Sequence, residues 1–572
     1  NAFSKSNFHK MNMKLIFTCF ILLAVAGALH AQPCTSADAQ IDLEGNAIRA
    51  RILNNGNLFT DYDFGQFLPN PLPFVQQNPS TIFAAGLWLG GINPAGFLRL
   101  NVPTYNGGYA AGPLNDDGQT TTTDCSNWDK HFLVKGSDVA AFLADLPNLA
   151  GNPAAAVAQY KSIMGWPGRD NPYFSNIWGF DLPFNTQSLA PFYDEDGDGV
   201  YNPLAGDYPV VQLRNKPPFV PEVFVWSVFN DRSVSPAFPV EVQQTAWAFN
   251  CPDRPVLNHS VFTSHKIIYR GIEKLDSCFF GMWVDFDLGC YTDDYLGSAP
   301  DQDAFFVYNQ DITDGSAGAT CEQGVPTFAD NPPVQSVTFL SQSLDKFMVY
   351  NSPSVGSPLP GTTDPSTSLE FYRYLTGYWR DGSPLTYGGS GFQSAGGPTD
   401  YAFPSNPADP NGWTMCTASL PLADRKGLGS HKVGTLLPGQ VEEMTIAWTV
   451  HLDPDLPCGV GDMYDDIAGV RSLYDGGFTG VCSPLTSLSE ALNAAIGLFP
   501  NPSAGTVTVQ YGDLPVREIR LFAADGRLAM ALQNPQPEQS VLDLGQLDNG
   551  VYTLVLLSER GMAVKRLVVL KN

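Results

Sequence analysis

Two runs of acidic side chains are the residues of this chain best suited to chemistry. The first is Asp194-Glu195-Asp196-Gly197-Asp198-Gly199-Val200-Tyr201-Asn202, with Asp207 following. Carboxylates at alternate positions followed by glycine have the form of a calcium loop, because a hard cation takes oxygen ligands and the glycine allows the sharp turn. Asp194, Asp196 and Asp198 would supply side-chain oxygens, Val200 its backbone carbonyl, and Asn202 a direct or water-mediated contact. An EF-hand would place Glu where Ala205 stands and would flank the loop with helices. Neither condition is met, so the expectation is a calcium loop of another kind, with Asp207 supplying the missing carboxylate. The bland alternative is a solvated acidic turn.

The second run holds Asp285, Asp287, Asp293 and Asp294, with Asp301 and Asp303 beyond. Asp285 and Asp287 are two apart at the end of an apolar strand and so share one face. Adjacent like charges are costly unless a cation neutralises them, which makes this a second expected calcium site. A strand end running into a solvated loop is the competing reading. Paired carboxylates also serve glycoside hydrolysis, but only at defined separations that spacing along a sequence does not show.

Other catalytic chemistry has little to stand on. No G-x-S-x-G occurs, and Gly388-Gly389-Ser390-Gly391 has the wrong spacing. His131, His259, His265, His431 and His451 form no H-E-x-x-H motif. A lone histidine among strand residues, such as His265, is more often structural than catalytic. These residues argue against an enzyme and identify none.

The elements that must position the carboxylates are mostly strands. Glycine and proline contribute 54 and 46 of 572 residues, yet aromatics are abundant, so the composition describes a β-rich protein with long ordered loops, not disorder. Strands are expected at 46–52, 55–59, 80–91, 222–231, 240–243, 246–249, 261–270, 279–285 and 441–450, with an Asn55-Gly56 turn signal between the first two. Helical spacing is confined to Ser137–Leu146, Ala154–Met164 and Tyr464–Tyr474. Residues 351–415 are rich in Gly, Pro, Ser and Thr but carry Tyr372, Tyr374, Tyr378 and Trp379, which suits a long ordered loop better than a linker. Trp379, Tyr387 and Trp413 are the candidates for stacking on sugar rings if they are exposed.

The formal charge of −26 lies in the body, because residues 493–572 carry seven basic and seven acidic side chains. Nucleic acid is excluded as a partner for want of basic patches. Lys14 precedes an apolar run from Leu15 to Leu29 that is too short to span a membrane, and Ala28-Leu29-His30-Ala31 closes it. This is a secretory signal peptide with cleavage expected after Ala31, and residues 1–10 read as upstream translation. No later run is long enough for a membrane span in the mature chain. Ten cysteines occur, one of them Cys19 in the signal peptide. The other nine leave at least one thiol unpaired after export to an oxidising compartment. Cys278 with Cys290, and Cys458 with Cys482, are the sequence-near pairings.

The last eighty residues carry a resemblance. Leu498-Phe499-Pro500-Asn501-Pro502-Ser503-Ala504-Gly505 opens a series of short strands, with a turn at Asp525-Gly526-Arg527 and terminal strands at 551–556 and 564–569. This closely resembles the C-terminal sorting domain of Bacteroidetes proteins exported by the type IX secretion system. The resemblance implies an Ig-like sandwich read by that machinery, with Lys565, Arg566 and Lys571 among the residues available for recognition. It also implies removal of the module at the cell surface, with the body released or attached to surface polysaccharide. The segments 82–91, 196–199 with 206–209, 283–289, 380–389 and 423–426 resemble a family of large secreted Bacteroidetes proteins of no assigned activity.

The expected architecture is therefore mostly β: a multi-sheet, sandwich-like body at 32–490 with a small helical insert and a possible sub-boundary near 190–215, then a sorting domain at 493–572. The expected function is a calcium-stabilised structural or adhesive surface protein. The alternative is a carbohydrate-binding protein or glycan-active enzyme, with self-association through strand edges also considered.

Overall fold

The residues of Val223–Asn230 show how the body is layered. The computed structural model describes residues 34–571 apart from 71–77, 106, 150, 233–237, 252–253, 316–320, 322–324, 453, 482–495, 513, 524–527 and 559–560. Within that strand Val223, Val225 and Phe229 enter one apolar core, while Phe224, Trp226 and Val228 enter a second. Side chains alternate across a strand, so a strand buried on both faces must be covered on both. The next strand, Val240–Ala248, repeats the division: Val242 and Ala246 join the first core, and Trp247 the second. It is one strand, where the sequence suggested two.

Two nine-stranded antiparallel sheets form the body. The first runs Gln40–Glu44, Ile48–Leu53, Asn57–Leu58, Ala84–Ile92, Leu275–Asp285, Arg425–Leu436, Lys346–Asn351, with Phe67–Pro69 paired to the second of these and Leu98–Asn101 to the fourth. The second runs Asp294–Ala299, Ala304–Asn309, Val334–Phe339, Val441–His451, Ser260–Tyr269, Val240–Ala248, Val223–Asn230, Ala110–Ala111, with Phe132–Lys135 also paired to Val223–Asn230. Their shared core contains Leu87 and Met282 from the first sheet with Val242 and Ile267 from the second. Ala84–Ile92 pairs directly with Leu275–Asp285, so strands from both sides of residues 190–215 join in one sheet. At the expected turn Gly56 has φ +82°, a backbone conformation that strains any side chain, and Asn55 Oδ1 accepts the Asn57 N–H at 3.1 Å.

The helical insert covers the far face of the second sheet. It holds Gly136–Leu149, Pro153–Gln159 and Lys161–Met164, and adds Thr122–Trp128 before and Phe174–Trp178 after the expected range. Asn152 caps the second of these helices by accepting the Ala155 N–H at 3.2 Å, with Pro153 at the position where a missing N–H costs nothing. Phe142, Trp166 and Phe174 pack there with Trp226 and Trp247. The late helix Met463–Asp475 buries Ile467 and Val470 as the helical spacing suggests, with Met463 and Tyr474 also buried and Leu473 half-buried.

Residues 351–415 do contain a helix, Ser368–Leu375. Thr367 accepts the Glu370 N–H and Glu370 accepts the Thr367 N–H, a reciprocal cap. Phe371 packs edge-on against Trp88 at 5.2 Å, and Leu375 accepts a hydrogen bond from Ser430, so the segment covers the outer face of the first sheet.

The disulfides differ from the sequence-near pairings. Cys34 joins Cys125, Cys290 joins Cys321, and Cys416 joins Cys458. Cys251 is also disulfide-bonded, whereas Cys278 is a buried free thiol. Cys278 points into the core from mid-strand, and the seven residues of extended chain from Phe279 to Asp285 carry the backbone roughly 20 Å away before Cys290. A disulfide needs Cα atoms within about 7 Å. Cys458 is committed to Cys416, and Cys482 lies outside the described residues, as do the signal peptide, the Asp525-Gly526-Arg527 turn and the 483–495 connection.

At the C-terminal end, a three-stranded sheet (Gly497–Phe499, Thr506–Gly512, Glu538–Asp543) faces a four-stranded one (Leu528–Gln533, Val516–Phe522, Gly550–Ser558, Gly561–Val569). Their core holds Val507, Val509, Ile519, Leu521, Leu554 and Leu556. This is an antiparallel sandwich of the Ig-like kind.

Candidate metal centres

The first acidic run is the loop of a short hairpin. Phe192–Tyr193 pairs with Tyr208–Pro209, with Tyr193 opposite Tyr208 and their rings stacked at 4.9 Å. That register sets Asp194 and Asp207 beside each other just inside the ladder. Asp207 is buried and accepts the Glu195 N–H at 2.9 Å and the Asn202 N–H at 2.7 Å. Asp194 accepts from Gly197 and Gly199 at 2.8 and 2.9 Å, and both glycines sit at positive φ. Oxygens of Asp194, Asp196 and Asp207 lie within 4.8 Å of one another, which is compatible with one cation. The buried Asn202 Oδ1 has no hydrogen-bond partner among the described residues. Burial, with Asp194 and Asp196 nearby, raises Asp207 above the ordinary carboxylate range against the pull of its two N–H donors. Asp198 instead accepts the Val200 N–H at 2.7 Å and stands outside the convergent trio. Tyr201 anchors the loop to the insert by donating to Ile163 O at 2.8 Å.

The second run splits into two places. Asp285 ends the strand Leu275–Asp285, and its register partner is Lys426 on Arg425–Leu436. Asp424, just outside that strand, brings an oxygen within 4.8 Å of Asp285 and Asp287. These residues line a cavity of about 440 Å³ with Tyr105 and Asp364. Tyr105 donates its O–H to Asp285 Oδ2 at 2.6 Å. Burial pushes Asp285 up to about 7 although Lys426 opposes this, and burial together with Asp285 and Asp424 raises Asp287. Lys426 ion-pairs with Asp424 and lies 3.9 Å from Asp285 Oδ1.

Asp293 lies in a separate, fully buried group with Asp314, and Asp294, its neighbour in sequence, is buried as well. Asp293 accepts from Gly315 at 3.0 Å, Asp294 from Leu288 at 2.8 Å, and Asp314 from Cys290 at 2.7 Å. Cys290 is also near, but its sulfur is tied to Cys321 and is not a thiolate ligand. Asp303 belongs to neither group: it pairs with Arg471 at 3.2 Å. Asp314, Asp364 and Asp424 escaped the sequence reading because each is remote from the acidic runs. The one available cue was Asp424 placed two residues before Lys426 at the start of a strand.

Of the stacking candidates, Trp379 and Trp413 are 3% and 4% exposed and donate their indole N–H groups to Gly391 and Gly389 carbonyls. They pack the long loop, and Tyr387, 46% exposed, is the only one of the three presented to solvent. His265 is buried against Gln244, and burial lowers it to about 4, so its ring is a neutral structural group.

The small sandwich at the chain's end defines the protein's class. Residues 497–570 match the family described as Secretion system C-terminal sorting domain. The chain thus carries a type IX sorting domain, engages that secretion machinery, and is exported to the cell surface or beyond. Among the described residues no helix is long and apolar enough to cross a membrane. No curated protein matches the chain. Among solved structures a polysaccharide lyase aligns with 67% of this chain at 7% identity and a TM-score of 0.18. The chain spans 40% of that lyase, and a likeness this low carries no argument.

Proposed function

We propose that the body, residues 32–490, is a calcium-stabilised structural or adhesive protein of the cell surface. A signal peptide ending at Ala31 takes it to the periplasm, and the module at 493–572 takes it outward. The observation that carries the calcium reading is the hairpin: three carboxylates converge there, and Asn202, whose N–H donates to Asp207, has a buried Oδ1 with no hydrogen-bond partner among the described residues. Asp194, Asp196, Asp207 and Asn202 hold the ion, with Asp198 and the Val200 carbonyl as outer contributors. Asp285 and Asp287 form a second site. Asp293 and Asp294, each accepting one backbone N–H, are a further candidate pair in the buried interior. A cation at the hairpin neutralises carboxylates that otherwise repel, so the loop gains rigidity on binding.

The test is a thermal melt of the full chain with and without chelator, alongside elemental analysis of the purified protein. The expected result is bound calcium and a melting temperature lowered by several degrees on chelation. No calcium and an unchanged melt would remove the reading. A carbohydrate-binding or glycan-active role draws support only from the carboxylate-lined cavity, since two of the three aromatic candidates are buried. Saturable binding on a glycan array would favour that role over the structural one.

A further inference from the structure

We propose that the cavity between the strand ends at Asp285 and Lys426 is a divalent-cation site whose affinity is set by Lys426, the resident counter-ion that the metal must displace. This deepens the calcium reading and names two residues that reading did not use, Asp424 as a ligand and Lys426 as competitor. Two observations support it independently of the acidic cluster alone. Asp285 is 4% exposed and lines the cavity, yet its Oδ1 has no hydrogen-bond partner among the described residues. Lys426 Nζ approaches that oxygen only to 3.9 Å, because its hydrogen bond goes to Asp424. The other oxygen of Asp285 is held by Tyr105, which fixes the orientation of the carboxylate, and an Asp285 oxygen lies within 4.8 Å of oxygens of Asp287 and Asp424.

The charges agree with this. Asp285, Asp287 and Asp424 carry three negative charges when ionised, of which the resident Lys426 offsets one and a divalent ion in its place offsets two. Asp364 on the cavity wall adds a further carboxylate. Among the described residues the lining includes no histidine or cysteine, and an all-oxygen set of this kind favours calcium or another hard cation over zinc or copper. Two of the three ligands flank directly paired strands, Asp285 opposite Lys426, so the site is held by the first sheet and does not depend on a flexible loop. An ammonium and a divalent cation sharing this space repel each other, and so they exclude one another.

The experiment uses the full chain with Asp194→Asn and Asp196→Asn together, which removes the hairpin as a binding site through two side chains that are not fully buried. Calcium is titrated by calorimetry, and terbium by luminescence sensitised through Tyr105. Binding is expected to persist in this background. Lys426→Gln should then tighten it roughly tenfold or more, and Asp424→Asn should weaken it by a similar factor. Circular dichroism melts identify any variant that fails to fold, and Asp287→Asn, at a half-buried position, is the substitute for Asp424→Asn in that case. The inference is overturned if the hairpin variant binds nothing, or if Lys426→Gln leaves affinity unchanged or weaker. The outcomes separate the two readings. Binding lost with the hairpin leaves the calcium hairpin standing and sinks this site, whereas binding unchanged by the hairpin substitutions does the reverse.

Discussion

Asp207 is the residue on which the hairpin depends. It is 1% exposed and satisfies two backbone N–H groups, from Glu195 and Asn202, that have no other described acceptor. A buried donor left without a partner costs about 1–3 kcal/mol. Asp207→Ala therefore should destabilise the body by about 2–4 kcal/mol and abolish the chelator-sensitive part of the melt, both read by calorimetry. Asp198→Ala, which removes one exposed acceptor outside the trio, should change stability little. A larger effect at Asp198 than at Asp207 would mean that the loop is organised around a different set of oxygens.

At the scale of elements, the short helix Ser368–Leu375 shows how a loop segment becomes the cover of a sheet. Its eight residues are too few to be stable alone, so the reciprocal cap between Thr367 and Glu370 and the packing of Phe371 and Leu375 on the first sheet must maintain it. Arg380 lies 3.2 Å from Glu370, and the Ser366 N–H and hydroxyl also donate to it, which together hold its carboxyl down at about 2 despite burial. Thr367→Ala should cost about 1 kcal/mol, measured by denaturant unfolding. Thr367→Ser, which keeps the acceptor, should cost much less. The helix was legible in principle, since Thr367-Ser368-Leu369-Glu370 is a capping-box sequence. The glycines and prolines around it hid the signal.

At the scale of the molecule, the terminal sandwich has an apolar core of its own, built from residues distinct from those of the two body cores. A domain that completes its own core can act as an address independent of its cargo. Deleting residues 497–572 should leave the chain inside the cell, while the full chain appears at the surface or in the medium, as judged by fractionation and blotting. A truncated chain found outside would show that export does not depend on this module.

Local patterns settled much of this protein. Alternating apolar residues marked the major strands, because a strand buried against a core writes its period directly into the chain. Asn55-Gly56 marked a turn for which glycine is needed, and the terminal strand pattern marked a small β module whose motifs carry the resemblance to the sorting domain. Spacing of two between aspartates was enough to pick out Asp194, Asp196 and Asp285. Tertiary structure alone decided which carboxylates meet. Asp424 reaches Asp285 because their strands are neighbours in a sheet, although 139 positions separate them in sequence. Asp293, close to Asp287 in sequence, belongs to a separate buried group with Asp314. Disulfide partners were hidden for the same reason: a bond requires proximity in space, and a strand of seven residues is enough to carry two nearby cysteines out of reach.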